Sequence, residues 1–465
     1  MNATRPEEKG PEKGDGTAKL AEFISGTRYE SIPSGVVKTA RDALIDWLGV
    51  TLAGSQEPGA GIMAGYARKL QCAGEASVIG HGFRTSAELA ALANGTSGHA
   101  LDFDDTNSTR GRYNLHPSTA IYPAALAVAE SRRLSGKEAL VSYITGMEAM
   151  FAGGAAIGQS LPASGWHPTP VLGTIGAAAA AARAMGLNTG QTQSTLGIAA
   201  SLAGGLMRNF GTMVKPMHAG NAARNGVLAA CLAADGFTGN TEVMDGDWGF
   251  CQMFSGGKFT SLGKAVEGPW DWRMASLGLG FKAYPSCRST HSGIDAALFL
   301  KEQYHPNPEE IAGITVNITR LNTEIARFHR PETGYQGKFS IPYCVAAALL
   351  NGRVVLADFT DEAIKDPRKT DLVTKVGFEF PEGLDGALNL ATEVTVVLKS
   401  GMKHSHRVAI PKGEPENPMT DAEQEAKFRD CCSRIMDERA ADRILDFARG
   451  FETAADTGEL FTLLG

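Results

Sequence analysis

Ile314-Thr315-Val316-Asn317-Ile318 alternates apolar and polar side chains, the period of a strand with one buried face. Everything upstream of it reads differently. Val36, Val37, Ala40, Ala43, Leu44, Trp47, Leu48 and Leu52 recur at helical spacing after Ser34, a candidate N-cap. Residues 118–134, 169–185 and 221–234 carry the same period, with Ser118 placed to cap the first of them. Downstream, Val394, Val396 and Leu398 alternate, Ser400-Gly401 makes a turn, and His404, His406 and Val408 alternate again, which predicts a hairpin. Helical stretches near 292–303 and 340–350 lie between the strands, so this part has α+β texture. Thr420 and Glu423 then form a capping box, opening a helix expected to reach about Phe451. The expected fold is mainly α: a large helical domain formed by both chain ends, with a smaller α+β domain inserted. The expected boundaries are a disordered tail over 1–16, the helical domain over 17–275 and 408–465, and the insert over 276–407.

Composition agrees with two domains. A chain of 465 residues exceeds what one simple core accommodates. Its 55 glycines and abundant alanine predict helices packed closely on one another. The net charge of −7, with no lysine or arginine block, argues against nucleic-acid binding. An acidic protein that binds an anion must place positive groups locally, so each His, Lys or Arg in a Gly-rich motif is a candidate. The seven cysteines show no CxxC pair, which argues against a disulfide framework or a zinc site. The N-terminal MNATRPEEKGPEKGDG has no apolar run and carries acids that targeting peptides avoid. The small-apolar run 171–182 is too short to cross a bilayer. The expectation is a cytoplasmic protein without a membrane partner.

Five segments concentrate polar residues in Gly-rich surroundings. Asp102, Asp104 and Asp105 precede His116-Pro117-Ser118; a solvated acidic turn or a Mg²⁺ site is the competing reading. His167 stands before Pro168 at a helix start, where it can donate to an anion or simply cap the helix. Lys215 precedes Pro216 and can pair with a carboxylate, with Arg208 adding positive charge; alone it would pass for a surface lysine. Arg288 and His291 follow Cys287. Their spacing does not specify a Cys–His nucleophile, and His291 reads as a proton donor or carboxylate ligand. Tyr343 begins an apolar helix, as a functional phenol or a core aromatic. Of the remaining histidines, His99 lies near the acidic segment and could support it.

Taken together and in order, "HALDFDDT…HPS", "GWHPT", "NFGTMVKPMHAGNAARNG", "YPSCRSTH" and "GKFSIPY" resemble the MmgE/PrpD family, whose members include 2-methylcitrate dehydratases, cis-aconitate decarboxylases and an iminodisuccinate epimerase. The resemblance spans the chain after the tail. It implies a helical domain built from both chain ends, an inserted α+β lid, a homodimer, and no metal or organic cofactor. Its active-site positions fall on Asp102, His116, His167, Lys215, His291 and Tyr343, with His167, Lys215, Arg208 and Arg288 available to bind substrate. In the decarboxylase relatives a further His usually follows Asp-Asp-Thr; here Asn107 stands there, and the stretch to His116, with Arg110 and Arg112, is longer.

The implied chemistry is lyase action on a small di- or tricarboxylate by proton transfer beside a carboxylate. In this reading Lys215 and His167 hold carboxylates, His116 moves the proton, Asp102 fixes its tautomer, and His291 and Tyr343 close the site. The alternatives are an epimerase of an iminodisuccinate-type dicarboxylate, a metal-dependent lyase using Asp102, Asp104 and Asp105, and a member that only binds ligand.

Overall fold

The computed structural model describes residues 15–107, 115–382 and 390–464. Most of the expected tail, and both Arg110 and Arg112, lie outside these residues. The chain opens with helices α1 (Gly16–Gly26) and α2 (Ser34–Gly54). After the small hairpin of β1 (Ala76–Val78) and β2 (Phe83–Thr85) come α3 (Ala87–His99), α4 (Ser118–Arg132), α5 (Gly136–Ile157), α6 (Pro168–Ala184) and α7 (Val214–Ala234). Then follow α8 (Arg288–Tyr304), β3 (Ile311–Asn317), α9 (Ile341–Asn351), β4 (Val376–Glu379), β5 (Thr392–Leu398) and β6 (Lys403–Val408). Helices α10 (Asp421–Cys432) and α11 (Glu438–Arg449) return near the C-terminus.

Two large apolar cores organise most of these elements, and a third, alanine-rich cluster joins α3 to α7. The first joins both chain ends: Leu44, Trp47, Tyr122 and Ile144 share it with Phe428, Ile444, Leu445 and Phe451. The second collects Ile294 and Leu300 of α8, Val345 and Leu349 of α9, and Ile314, Val316, Val394 and Val396 of the sheet. Strand order is β4-β3-β5-β6, antiparallel except for the β3/β4 pair. The alternation of Ile314, Val316 and Ile318 does put one face of β3 under cover: all three are buried. Helix α5 is long and apolar enough to cross a membrane, but 94% of its most apolar window is buried inside the protein.

Local expectations need four corrections. The tail was expected through residue 16, yet α1 starts at Gly16, which is buried. Ser34 and Ser118 are first helical residues; Pro33 and Pro117 hold the cap positions. At α4 the capping oxygen comes from Asp105, which accepts the Ser118 backbone N–H at 3.1 Å. The Thr420 capping box forms, but its helix ends at Cys432 and a second begins at Glu438, capped by Asp437. Strand β4 carries too short an alternation, four residues, to stand out beforehand.

Small residues set the helix spacing where α3 meets α7, in an alanine-rich cluster of its own. A Cβ on Gly95 of α3 would lie 2.7 Å from the Gly220 Cα of α7, and one on Gly220 would lie 2.2 Å from the Leu92 carbonyl oxygen. The two helices therefore touch backbone to backbone. They run in opposite directions, so the end of α3 arrives beside the start of α7. That contact delivers the segment after α3, with Asp102, to Lys215 in the first turn of α7. Substituting Gly220→Ala forces the pair apart and is expected to cost about 1–3 kcal/mol of stability and to lower kcat/KM. Gly35→Ala, where the added methyl meets nothing within 4 Å, is the control. Urea unfolding of both variants checks this; an unchanged midpoint for Gly220→Ala would contradict the close approach.

Candidate active site

Asp102 is buried at a φ of +52°, a left-handed conformation that costs a non-glycine residue about 1–2 kcal/mol. Three buried lysines from distant segments hold this turn. Lys338 donates to the carbonyl of Leu101 at 2.8 Å, Lys282 to that of Asp102 at 2.7 Å, and Lys427 to that of Phe103 at 2.7 Å. Three successive carbonyls, just past the end of α3, are thus each capped by an ammonium group. The negative end of the helix dipole adds to this attraction. Lys338 also donates to the Pro285 carbonyl at 3.2 Å, joining this turn to the segment that carries Cys287 and Arg288.

The Asp102 carboxylate faces two cations. Its Oδ1 accepts from Lys215 Nζ at 2.9 Å and from Lys282 Nζ at 2.8 Å. Burial alone would raise this carboxyl, but the two ammonium groups outweigh it and hold the acid well below its usual range. Lys215 sits between the rings of Phe210 and Phe339, 5.4 and 5.3 Å from their centroids, a further stabilisation of its charge.

Histidines line the other side. His116 Nδ1 lies 3.2 Å from Asp104 Oδ2, and its Nε2 lies 3.8 Å from Asp102 Oδ1. His99 Nδ1 contacts both oxygens of Asp104 at 2.9–3.0 Å, so Asp104 is shared by two imidazoles. The expected partnership of His116 with Asp102 is thus corrected: the carboxylate closest to His116 is Asp104, because Asp102 is taken up by lysines. His167, the cap residue of α6, stands Nδ1 to Nδ1 with His218 at 3.2 Å, where one ring must donate to the other. Burial lowers the pKa of His116 and of His218 to about 4 and that of His167 well below its usual value. Each therefore favours its neutral form at pH 7.

Asp102, His116, His167, Lys215 and Arg288 converge on one cavity, together with Lys282, Cys287 and Ser289. It lies between the two cores, closed partly by Phe210 and Phe339. Three other expected residues do not reach it. His291 accepts from Arg288 Nη1 at 3.0 Å and donates from Nε2 to the Ser286 carbonyl at 3.2 Å, so both ring nitrogens are used in orienting Arg288. Tyr343 is buried in the second core, its hydroxyl bonded to the Asp358 carbonyl and to Lys369. Arg208 is exposed and outside the cavity lining. Asn107 is buried but turns its amide to the Gly278 carbonyl at 2.9 Å.

Lys282 is the residue that sequence reasoning missed. It is a lone lysine in the apolar run Leu277–Tyr284, 0% exposed, and an uncompensated charge in such a run was the available signal. Lys338 and His218 stood inside quoted motifs without being singled out.

Charge at the cavity is balanced. The lining cations are Lys215, Lys282 and Arg288. Against them stand Asp102, Asp104 and Glu414, the last buried against Arg288 with Oε1 accepting from Nε at 2.5 Å. The ligand-type atoms of His99, Asp102, Asp104 and His116 lie within 4.8 Å of one another, close enough to hold a metal ion. The chemistry of that donor set speaks against one. Asp102 Oδ1 already receives two ammonium groups, and a divalent cation bound there would sit against both.

Comparison with known proteins identifies relatives of this chain. The model of the MmgE/PrpD N-terminal domain matches residues 18–262, and that of the MmgE/PrpD C-terminal domain matches residues 284–453. The cis-aconitate decarboxylase-like protein oryM of Aspergillus oryzae is 31% identical over 97% of this chain and 98% of its own length. The cis-aconitate decarboxylase of Homo sapiens is 29% identical over 96% and 94%. A mitochondrial 2-methylcitrate dehydratase of Yarrowia lipolytica is 25% identical over 75% and 69%. With both domain models matched in order along most of its length, the chain belongs to the MmgE/PrpD family of enzymes.

Proposed function

We propose that the protein is a metal- and cofactor-independent lyase that decarboxylates cis-aconitate or a close tricarboxylate. The observation that carries this is the convergence of Lys215, Lys282 and Arg288 on one buried cavity beside the Asp104-supported His116. Full-length similarity to cis-aconitate decarboxylases, against partial similarity to a 2-methylcitrate dehydratase, favours decarboxylation.

The chemistry follows from the substrate. In cis-aconitate the carboxylate on the methylene carbon is β,γ to the double bond. When that carboxylate leaves as CO₂, the C–C electron pair becomes a new terminal double bond. The old π pair moves to the carbon beside another carboxylate, and one proton closes that carbanion. Lys215, Lys282 and Arg288 hold the carboxylates and stabilise the developing charge. His116 delivers the proton, kept in orientation by Asp104, and His167 contacts a second carboxylate. The open space between the cavity's side chains is about 50 Å³, room for only a few waters at about 10–15 Å³ each. Substrate entry therefore requires an opening movement, with Phe210 and Phe339 as the yielding wall. This reading also takes 17–275 with 408–465 as one domain and 276–407 as a lid, and a cytoplasmic homodimer as the working form.

Proton NMR of the purified protein with cis-aconitate, 2-methylcitrate and iminodisuccinate tests it. Loss of CO₂ from cis-aconitate, unaffected by dialysis against a strong chelator, is the expected result. Dehydration or epimerisation in its place would reassign the reaction. Turnover lost to the chelator and restored by Mg²⁺ or Zn²⁺ would overturn the metal-free part.

Two variants separate roles at the site. His116→Ala is expected to lower kcat by a factor on the order of 10²–10⁴, the usual range for a positioned acid–base group, with the protein still folded. Lys282→Met removes a buried cation from Asp102 and is expected to lower both the melting temperature and kcat/KM. Folded His116→Ala with wild-type kcat would remove His116 from the mechanism.

A further inference from the structure

The catalytic cavity has a neighbour. Met207, Phe210, Ile325 and Phe339 line it on one side, and the same four residues line a second chamber of about 200 Å³. Leu321 and Phe328 complete the apolar part of that chamber. Leu321 is 45% exposed, a large apolar side chain without cover on the helical turn that also carries Ile325. The charged groups of the chamber, Glu324 and Arg327, are exposed at its edge. Arg327 donates from Nη2 to the Phe210 carbonyl at 3.0 Å and so bridges the two sides of the chamber. Polarity is thus segregated between two adjoining spaces. The carboxylate-binding lysines and Arg288 are in one, and the other offers six apolar side chains.

We propose that this chamber is a subsite for an apolar substituent, so that the preferred substrate is a tricarboxylate of the cis-aconitate type bearing an alkyl chain. The inference rests on the polycarboxylate reading of the adjoining cavity. A carboxylate has no partner in the second chamber beyond the edge arginine, whereas an alkyl group would cover Leu321, Ile325 and Phe328 and displace water from them. At about 200 Å³ against about 50 Å³ for the adjoining cavity, the chamber has room for a short alkyl chain. The shared wall of Phe210 and Phe339 is also the wall that must move for entry, so a chain lodged behind it would hold the polar head in register with His116.

The test is a series of cis-aconitate and its analogues alkylated on the methylene carbon with methyl, propyl and pentyl chains. Expected is a rise in kcat/KM of roughly fourfold per added methylene, the worth of burying one such group, levelling off once the chain fills the chamber. Leu321→Glu, which alters only the second chamber, should abolish that rise while leaving the rate on unsubstituted cis-aconitate unchanged. Rates that are flat or fall with chain length, with cis-aconitate itself turned over, would overturn the subsite and leave the proposed reaction standing. Calorimetric binding of succinates carrying the same chains reads the chamber without any turnover. Affinity that climbs with chain length in the wild type and not in Leu321→Glu supports the subsite even if the reaction is reassigned. Affinity independent of chain length overturns it, as would be found if the space were a water-filled passage or were filled by a second copy of the chain.

Discussion

Three lysines on three successive carbonyls hold the turn on which this site is built. Lys338, Lys282 and Lys427 come from the second core's side, from the connection ahead of α8, and from α10. Each is buried, and a buried ammonium group is tolerated only where oxygen atoms surround it. The turn between Leu101 and Phe103 supplies those oxygens because it lies past the end of α3, outside any helix or strand ladder that would use its carbonyls. The lysines and the turn therefore need one another. The unfavourable φ of Asp102 is held by this arrangement, and with it the direction of the carboxylate that Lys215 and Lys282 share.

The same constraint couples the two parts of the chain. Lys427 lies in a helix whose Phe428 is fixed in the first core, and it also pairs with Asp46 of α2 at 2.6 Å. Lys338 lies just ahead of α9, in the second core's territory, and ties the Asp102 turn to Pro285. Removing either end of the chain would leave a buried charge without its partner. The glycine contact between α3 and α7 completes the arrangement by setting how near Lys215 can come.

Much of this was legible in residue pattern. The Gly- and Pro-bounded motifs marked Asp102, His116, His167, Lys215 and Arg288, because polar residues recur there in otherwise apolar, Gly-rich surroundings. The alternation at Ile314–Ile318 marked the sheet, since a half-buried strand leaves a local period of two. What pattern could not supply was pairing across the fold. Lys282 and Lys427 look like ordinary lysines until the carbonyls they cap are brought to them from a hundred or more residues away. His291 and Tyr343 sit in motifs as prominent as His116, yet their polar atoms are satisfied by Arg288 and by the Asp358 carbonyl. Spacing along the chain does not reveal whether a side chain spends its hydrogen bonds on substrate or on a neighbour. The role of Asp104 depends likewise on His99 lying on the preceding turn of helix.

The central claim is electrostatic. Lys215, Lys282 and Arg288 line the cavity with the Asp102 carboxylate, Asp104 and Glu414 stand behind them, and burial lowers the pKa of His116, His167 and His218 so that each favours its neutral form at pH 7. A bound tricarboxylate adds negative charge beside them, which raises their affinity for protons, so substrate binding itself should load the histidine that later protonates carbon. Propane-1,2,3-tricarboxylate, the saturated analogue that cannot lose CO₂ by this route, isolates that step. Titrated calorimetrically at pH 7 in two buffers of different ionisation enthalpy, it should bind with net uptake of roughly one proton per site, diminished in His116→Ala. Tight binding with no proton uptake in the wild-type protein would contradict the account.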